Sequence, residues 1–392
     1  MSTEATKISN VVPAAPKHTR KRWIFITAIV LLVLVLLAGT GIPLIDSIRF
    51  SDKILSVPDY TTPKYDTLVL AVSTTTVTLK RTEDDMHPGV FEIEWPAGQA
   101  LLGATLSSDQ NSVTRPILLK TAPLSAGTSV FWTRYAYTGQ IRNSLGLPLS
   151  TVQVPDPLGS MPAWYLPGKL TTWVVLVHGR GASRDETLRA FTPLSQLGFP
   201  LLAISYRNDV GVAHSSDSSN HLGDSEWQDL EAAVKYATAH GAQHLVLYGW
   251  SQGGAAIEVF LHHSSLASRV QVLILDAPTL NWTATFEYQA QEQSVPGFMV
   301  YPAEFVTSIR SGINFNDLNQ LNQAQPNIPI LLFHGDNDTS TPVAVSDAFA
   351  KAHPGLVTYV RLPGVGHTEA WNANPQAYDN EVTTFLKQKL SL

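Results

Sequence analysis

Ser251 lies in the pentapeptide GWSQG (residues 249–253), directly after a predicted strand at 245–248 and directly before a predicted helix at 254–261. A serine held in a sharp strand-to-helix turn between glycines is the arrangement called a nucleophile elbow. The glycines are needed because side chains would collide in such a turn. The start of the helix favours negative charge that develops beside the serine. The pattern predicts nucleophilic catalysis by Ser251, and the alternative is a glycine-rich turn with an incidental serine.

A serine hydroxyl is a weak nucleophile unless a base takes its proton, so the chain must also supply a base and an acid. His367 follows one predicted strand and is the candidate base. Asp336 and Asp338 follow the strand before that, and Asp276 follows a still earlier one. The order serine, aspartate, histidine is that of an α/β-hydrolase and differs from the orders in the chymotrypsin and subtilisin folds.

From about residue 150 to its end, the sequence resembles the α/β-hydrolase superfamily. Within it the sequence is similar to the bacterial esterase and lysophospholipase-like branch, which is related to the serine-aminopeptidase-like hydrolases. In that pattern the acid is the aspartate three residues after a His-Gly pair and four before a proline, so the resemblance implies Asp338. Asp336 is its rival, and Asp276 holds the place where some members carry a displaced acid. The alternative role of Asp336 and Asp276 is to form turns, because Asp side chains bond nearby backbone amides.

An oxyanion intermediate needs two backbone N–H donors. Gln252, the residue after the nucleophile, is the first candidate. The loop HGRGAS (residues 178–183) resembles the family's His-Gly-x-Gly element, which implies the N–H of Arg180 as the second, with Gly179 allowing close approach of the backbone. His178 is expected to be structural rather than a catalytic base. For the Arg180 side chain, binding an acidic substrate group and simple exposure are both open.

Tyr206 ends the next predicted strand at the same sheet edge, and together with Gly179 and Trp250 it is a candidate for lining the substrate pocket. The polar loop that follows holds four side chains of metal-binding type, His214, Asp217, His221 and Asp224. Their spacing matches no known metal signature, and no nucleotide-binding glycine pattern is found. We therefore expect a solvated loop, no metal and no cofactor.

The elements that position these residues are short apolar runs alternating with helical stretches from about residue 148. This alternation predicts a mostly parallel sheet flanked by helices. The predicted strands are 173–177, 201–205, 245–248, 272–275, 328–333 and 357–362, preceded by a hairpin of 151–154 and 163–166. Helices are predicted at 225–239, with Ser225 as its N-cap, and at 376–390.

Residues 279–326 are longer than an ordinary connection and rich in aromatic residues. They predict a cap over Ser251 that would suit an acyl or other apolar substrate. The alternative is that these aromatic side chains only pack helices onto the sheet.

Residues 46–147 alternate with a period of two at 74–80 and 90–95, and 129–137 is rich in β-branched and aromatic residues. These patterns indicate strands, and His87, Pro88 and Gly89 indicate a turn between them. The segment predicts a small β-rich accessory module, which is a spacer or platform without visible catalytic residues.

Residues 23–45 carry no charged side chain and follow a basic tail at 1–22. As a helix they would rise about 34 Å, enough to cross a hydrocarbon core of about 30 Å. The excess of basic residues before the span predicts a cytoplasmic N-terminus and an extracytoplasmic catalytic domain. A cleaved signal peptide is the alternative.

The composition excludes several classes of protein. The 392 residues include no Cys, which excludes a disulfide framework, a Cys zinc site, an iron–sulfur cluster and a thiol nucleophile. A net charge of −6 argues against a nucleic-acid partner. The resulting hypothesis is a membrane-anchored serine hydrolase that cleaves carboxylic esters, including lipid-like ones. A peptidase, amidase or thioesterase of the same fold is an alternative, as is a non-catalytic surface binding protein.

Overall fold

The computed structural model describes residues 27, 45–58, 62–82 and 84–392. The predicted tail at 1–22 lies outside these residues, and so does the predicted span at 23–45 apart from Thr27 and Ile45. Among the described residues, no helix combines the length and the hydropathy that a membrane crossing requires.

Seven antiparallel strands form an N-terminal sheet that we call the β module (residues 67–133). They are β1 (Thr67–Val72), β2 (Thr76–Lys80), β3 (Phe91–Trp95), β4 (Gly98–Leu102), β5 (Ser107–Ser108), β6 (Ser112–Lys120) and β7 (Ser129–Thr133). Their spatial order is β2-β1-β7-β3-β4-β6-β5, and β2 also pairs with β6, which closes the sheet on itself. Apolar side chains such as Ile93, Leu102 and Val130 fill its interior.

An eight-stranded sheet lies at the centre of residues 150–392, which we call the C-terminal part. Its strands are β8 (Ser150–Asp156), β9 (Gly159–Leu166), β10 (Thr172–Val177), β11 (Leu201–Ala203), β12 (His244–Trp250), β13 (Val270–Asp276), β14 (Ile330–Gly335) and β15 (Val357–Leu362). The order is β15-β14-β13-β12-β10-β11-β9-β8. Strands β8 and β9 form the predicted antiparallel hairpin at one edge. The neighbouring strands in the spatial order β11, β10, β12, β13, β14 and β15 are parallel to one another.

Helices cover both faces of this sheet, and each face has its own apolar core. The helices are α1 (residues 45–55), α2 (Phe191–Gln196), α3 (Trp227–Ala239), α4 (Gln252–His263), α5 (Trp282–Glu292), α6 (Val300–Ser311), α7 (Val343–Ala352), α8 (Ala370–Ala373) and α9 (Pro375–Leu390). The predicted N-cap of α3 is wrong, because that helix begins two residues after Ser225. The hydroxyl of Ser225 bonds the imidazole of His221 instead.

Helix α1 differs from the sequence-based expectation, which assigned its residues to the β-rich module. Ile54 and Leu55 at its C-terminal end are buried among Trp282 and Phe286 of α5, because these side chains together form a separate apolar cluster. Phe50 adds an edge-to-face contact with Phe286 at 5.6 Å between ring centroids. The helix therefore packs on the predicted cap region rather than on the β module.

The β module and the C-terminal part are in close contact around Asn372. The Asn372 carbonyl accepts from the N–H of Val90 at 2.8 Å, and its side-chain amide donates to the carbonyls of Val90 and Arg134. Gly89 has a φ of +100°, and a Cβ atom there would lie 1.8 Å from the Asn372 carbonyl oxygen. Only glycine fits at this junction.

Candidate functional site

Ser251 lies between β12 and α4 with φ 48° and ψ −119°. A non-glycine residue with such a backbone stores roughly 1–3 kcal/mol of strain, so its surroundings must hold it in place. The N–H of Ser251 donates to the Asp276 carbonyl at 3.0 Å, and its carbonyl accepts from the N–H of Thr279 at 3.1 Å. A Cβ at Gly253 would lie 2.2 Å from the Val177 carbonyl oxygen, so this glycine lets α4 start directly against β10.

The structure brings the predicted nucleophile, base and acid together. His367, in the loop after β15, places Nε2 at 2.9 Å from the Ser251 hydroxyl oxygen. Its other ring nitrogen, Nδ1, lies 2.6 Å from Oδ2 of Asp338. The three side chains come from loops after β12, β14 and β15, and their parallel strands end at the same sheet edge. The sequence spacing between Ser251 and His367 is 116 residues, so the sheet creates this proximity.

Asp338 is buried and surrounded by donors. Its Oδ1 accepts from the N–H groups of Ser340 and Thr341 at 2.7 and 2.8 Å, and its Oδ2 lies 3.1 Å from Nε2 of His334. Burial alone would raise the pKa of this carboxyl. The charge of His367 and the hydrogen bonds from His334 and His367 outweigh burial and hold the pKa of Asp338 well below its ordinary value. The group is therefore a carboxylate at any physiological pH.

The two rival aspartates have other partners. Asp336 accepts from the N–H of Gly364 at 2.7 Å on an exposed turn. Asp276 is buried at the end of β13, accepts from the hydroxyl of Tyr378 at 2.9 Å, and leaves its other oxygen without a partner. Burial raises the pKa of Asp276 to about 6. Neither carboxyl bonds His367 as Asp338 does.

The predicted oxyanion loop packs directly against the nucleophile. A Cβ at Gly179 would lie 3.0 Å from the Cβ of Ser251, so a side chain there would crowd the serine. The sequence analysis missed Glu186. Its carboxylate accepts from the N–H of Gly179 at 2.7 Å and holds the loop in place. Gln252 is the first residue of α4, and an N–H at that position has no partner inside its helix.

The side chain of Arg180 follows neither of the two alternatives left open by the sequence. Its Nη2 donates to the carbonyls of Lys53, Ile54 and Ser56 at 2.8–2.9 Å. These carbonyls belong to the last turn of α1 and the residue after it, so the guanidinium caps that helix. Arg180 therefore ties α1 to the loop beside Ser251.

Three predicted neighbours of the site are buried beneath it. His178 bonds Asp209 through Nε2 at 2.9 Å and stacks on Tyr206, whose hydroxyl donates to the Gly179 carbonyl. Burial would lower the pKa of His178, but the Asp209 carboxylate outweighs burial and raises it. Trp250 is fully buried and stacks on Tyr248. Trp250 and Tyr206 support the loops and do not line the cavity beside Ser251, whereas Gly179 does.

A cavity of about 650 Å³ opens beside Ser251 and His367. Trp282 and Gln289 of α5 line it, so part of the predicted cap does face the site. A second part of the wall comes from the end of the β module and the residues after it, including Trp132, Arg134 and Tyr135. The sequence contains no local signal for this contribution, because it depends on how the module packs.

The β module and the residue directly after it also hold the loop that carries the histidine. Nη1 of Arg134 donates to the His367 carbonyl at 2.6 Å, and Nδ1 of His87 lies 2.7 Å from Oε2 of Glu369. Arg115, which is fully buried, donates to the carbonyls of His87 and Gly89 and keeps that contact loop in place.

A buried ion pair links the two loops on either side of the nucleophile. Arg189 lies 3.7 Å from Oε1 of Glu186 and donates to the Thr368 carbonyl at 2.8 Å and to the Asn372 side chain at 2.7 Å. The acidic pair Asp185 and Glu186 right after the glycine loop is the one sequence signal for this network, since acids favour the first turn of a helix.

The polar loop with metal-binding residue types behaves as a hydrogen-bonded turn. His221 bonds Asp217 at 2.8 Å and Ser225 at 2.9 Å. Within residues 45–58, 62–82 and 84–392, no three side chains of His, Asp or Glu come close enough to hold one metal ion together.

Comparison with solved structures gives weak similarity to several esterases. An esterase of Pyrococcus furiosus is 19% identical with a TM-score of 0.49, over 63% of this chain and 93% of that one. Est1E of Butyrivibrio proteoclasticus, solved with ferulic acid bound, is 17% identical with a TM-score of 0.47, over 62% of this chain and 100% of that one. A search of curated protein sequences found no match.

Comparison with sequence families gives two matches. Residues 68–133, which nearly coincide with the β module, match a domain of unknown function (DUF8805). Residues 188–392, more than half of the chain, match the prolyl oligopeptidase family. This segment contains Ser251, Asp338 and His367, and the predicted α/β-hydrolase relationship is confirmed. The chain is therefore a member of the prolyl oligopeptidase family, with a closed β module placed before its α/β-hydrolase sheet.

Proposed function

We propose that the protein is a serine hydrolase that cleaves carboxylic esters through an acyl-enzyme. The main support for this proposal is the continuous chain of hydrogen bonds from the Ser251 hydroxyl through His367 to Asp338, with the serine in a strained turn. This is the geometry by which a hydroxyl becomes a nucleophile at neutral pH. A non-catalytic binding protein would have no need of it.

In the proposed reaction, the Ser251 oxygen attacks the ester carbonyl carbon while Nε2 of His367 takes the hydroxyl proton. The carbonyl electron pair moves to oxygen, and the N–H groups of Gln252 and Arg180 hold the resulting oxyanion. Asp338 stabilises the imidazolium. The oxyanion then collapses, the C–O bond to the alcohol breaks, and His367 returns the proton to the leaving oxygen. A water molecule repeats the sequence on the acyl-enzyme and releases the acid and Ser251.

Aromatic side chains in the cavity wall, among them Trp132 and Trp282, favour an apolar acyl or aryl group on the substrate. Lipid-like esters suit the predicted membrane anchor. Family membership favours a second candidate, peptide-bond hydrolysis, because the same row of side chains cleaves amides. Thioesters would use the same chemistry.

The test is covalent labelling of the full chain with a fluorophosphonate, mapped by mass spectrometry. We expect label on Ser251, none on the Ser251→Ala variant, and slow labelling of His367→Ala. Matched esters and amides of one acyl group then separate the two candidate activities. A folded chain that neither a large fluorophosphonate nor a small phosphonylating reagent modifies would refute the proposed activity.

We also propose that residues 23–45 span a membrane, with residues 1–22 in the cytoplasm and the catalytic domain outside. The support is the charge-free stretch directly after a basic tail. Protease added to sealed, right-side-out cells should remove the catalytic domain. Release of a shortened soluble chain would instead favour the cleaved signal peptide.

A further inference from the structure

Large apolar side chains are exposed on one side of the cap region. Five of them, Val295, Phe298, Tyr301, Phe305 and Ile309, lie on α6 and the turn before it, and we call them the α6 stripe. Phe305 and Ile309 are 67% and 69% exposed. Tyr301, Phe305 and Ile309 are four residues apart, a spacing that places side chains on the same face of a helix.

The segment that carries the stripe is almost free of charge, and among the described residues the one charged group bonded to the stripe is Glu287 of α5, which accepts from the Tyr301 hydroxyl at 2.6 Å. From 294 to 309 the sequence contains one ionisable acid or base apart from tyrosine, Glu304, and that side chain is buried. Burial raises the pKa of Glu304 to about 7. A soluble surface that leaves contiguous aromatic and aliphatic side chains uncovered is a site of association.

The stripe also lies beside the point where the predicted span enters the described chain. Arg310, the residue after Ile309, donates to Asp52 at 2.6 Å and to the Ile48 carbonyl at 3.3 Å. Both belong to α1, which is described from Ile45, the last residue of the predicted span. Ile45 and Ile48 are themselves 52% and 41% exposed. Seven of the fourteen exposed large apolar side chains among the described residues thus lie in these two neighbouring segments.

The basic side chains of α1 and the end of α6 are paired locally. Arg49 lies 3.6 Å from Asp46, Arg310 bonds Asp52, and Nζ of Lys53 donates to the side chain of Gln293, so the ionised groups beside the apolar surface are of both signs.

We propose that the α6 stripe, together with Ile45 and Ile48, rests on the lipid bilayer in which residues 23–45 are anchored. The contact lies in the interface between headgroups and acyl chains, where exposed aromatic and aliphatic side chains on a helix insert. Helix α5, which contributes Trp282 and Gln289 to the cavity, packs against α6. The site would then open close to the membrane surface, which specifies lipid-like esters as its substrates.

This inference rests on the proposed anchor, and the test separates the two. The chain has no Cys, so single substitutions carry one fluorescent label each without removal of native thiols. Phe305→Cys and Ile309→Cys report on the stripe, Leu34→Cys on the anchor, and Leu106→Cys, at an exposed site in the β module, is the control. Each variant is labelled with an environment-sensitive dye in the full chain, and vesicles with and without quencher-bearing phosphatidylcholine are compared.

We expect the quencher lipid to reduce emission about twofold or more at 305 and 309, as for a group buried 5–10 Å into the interface. Emission at 106 should stay unchanged. Quenching at 34 without quenching at 305 and 309 would overturn membrane docking and leave the anchor intact. Labels at 305 and 309 that neither lipid quencher nor aqueous iodide reaches would also overturn docking and would indicate a covering second copy or protein segment. Quenching at 305 and 309 without quenching at 34 would support docking and refute the anchor.

Discussion

The cavity beside Ser251 has two walls: the hydrolase wall, which includes His367, Trp282 and Gln289, and the module wall, which includes Trp132, Arg134 and Tyr135. Their polar side chains make different contacts. In the hydrolase wall, the two ring nitrogens of His367 contact the side chains of Ser251 and Asp338. In the module wall, Arg134 contacts the main-chain carbonyl of His367 and no side chain of the reacting row. The hydrolase wall would perform the chemistry, and the module wall would hold the loop on which the chemistry depends.

Buried carboxyls show the same difference. Asp338 sits among an imidazole partner and several N–H donors that hold its pKa low, whereas burial of Glu92 in the β module raises its pKa to about 8. A carboxyl that must stabilise a cation needs its charge, and one that only joins neighbouring strands and turns does not. Asp338 and Glu92 are both buried, so it is the neighbouring donors and charges, and not burial, that distinguish these two carboxyls.

The largest effect should come from the acid in the hydrolase wall. Asp338→Asn removes the carboxylate that orients and stabilises His367, and we expect kcat to fall by a factor on the order of 10⁴. Steady-state ester hydrolysis measures it, with Asp336→Asn as the matched control because that side chain bonds only the turn at Gly364. A larger loss in the control than in Asp338→Asn would reassign the acid.

A smaller loss is expected from Glu186→Ala, which frees the N–H of Gly179 and unpairs Arg189. Losing a buried charge-assisted hydrogen bond costs about 1.5–3 kcal/mol. If the transition state loses that much stabilisation, kcat/KM should fall by roughly tenfold to a hundredfold. The measurement is the ratio kcat/KM for a series of esters, with Glu186→Gln as the conservative variant that can still accept from Gly179. Full activity in Glu186→Ala would show that the oxyanion loop keeps its conformation without Glu186.

In the module wall, Arg134→Ala removes the donor to the His367 carbonyl, and we expect kcat to fall about tenfold with KM changed less. The rate of phosphonylation by a small reagent, which needs no substrate binding, should fall in parallel. Arg134→Lys should recover part of both rates. A change confined to KM would mean that Arg134 contacts substrate and does not position the histidine.

The smallest effect on turnover should come from Glu92→Gln, which instead changes how stability depends on pH. The unfolded carboxyl titrates near 4.5 and the folded one near 8, since burial outweighs the hydrogen bonds from Thr138. The stabilisation from the retained proton is complete below pH 4.5, declines as pH rises through this window, and is gone above 8.

Thermal unfolding between pH 5 and 9 measures this dependence. The Tm of the wild type should fall a few degrees further over that range than the Tm of Glu92→Gln. Glu231→Gln is the control, because the hydrogen bond from Lys235 lowers the pKa of Glu231 and adds no loss on the alkaline side. Equal slopes in wild type and Glu92→Gln would show that Glu92 is ionised in the folded protein.

Features that depend on neighbouring residues could be predicted from the sequence, and contacts between distant residues could not. Strand, elbow and loop motifs are local, so β15 at 357–362 and the turn at Ser251 follow from neighbouring residues. The contact from Arg134 to His367 joins residues 233 positions apart and depends on how two sheets pack. The Arg180 side chain was open to two interpretations because its partner, the end of α1, carries no motif. Trp250 precedes Ser251 and Tyr206 follows a predicted strand that ends at the same sheet edge, but the large rings of both are buried in the core.

The junction at Gly89 has a consequence for the history and the engineering of the molecule. Because the Asn372 carbonyl occupies the space of a side chain at Gly89, and Asn372 also bonds Val90 and Arg134, α8 packs directly against the loop before β3. Removing the β module or α8 would leave buried polar groups of the other without partners. The module is therefore not an interchangeable attachment, and fusion, truncation or domain shuffling at this boundary would have to rebuild both surfaces at once.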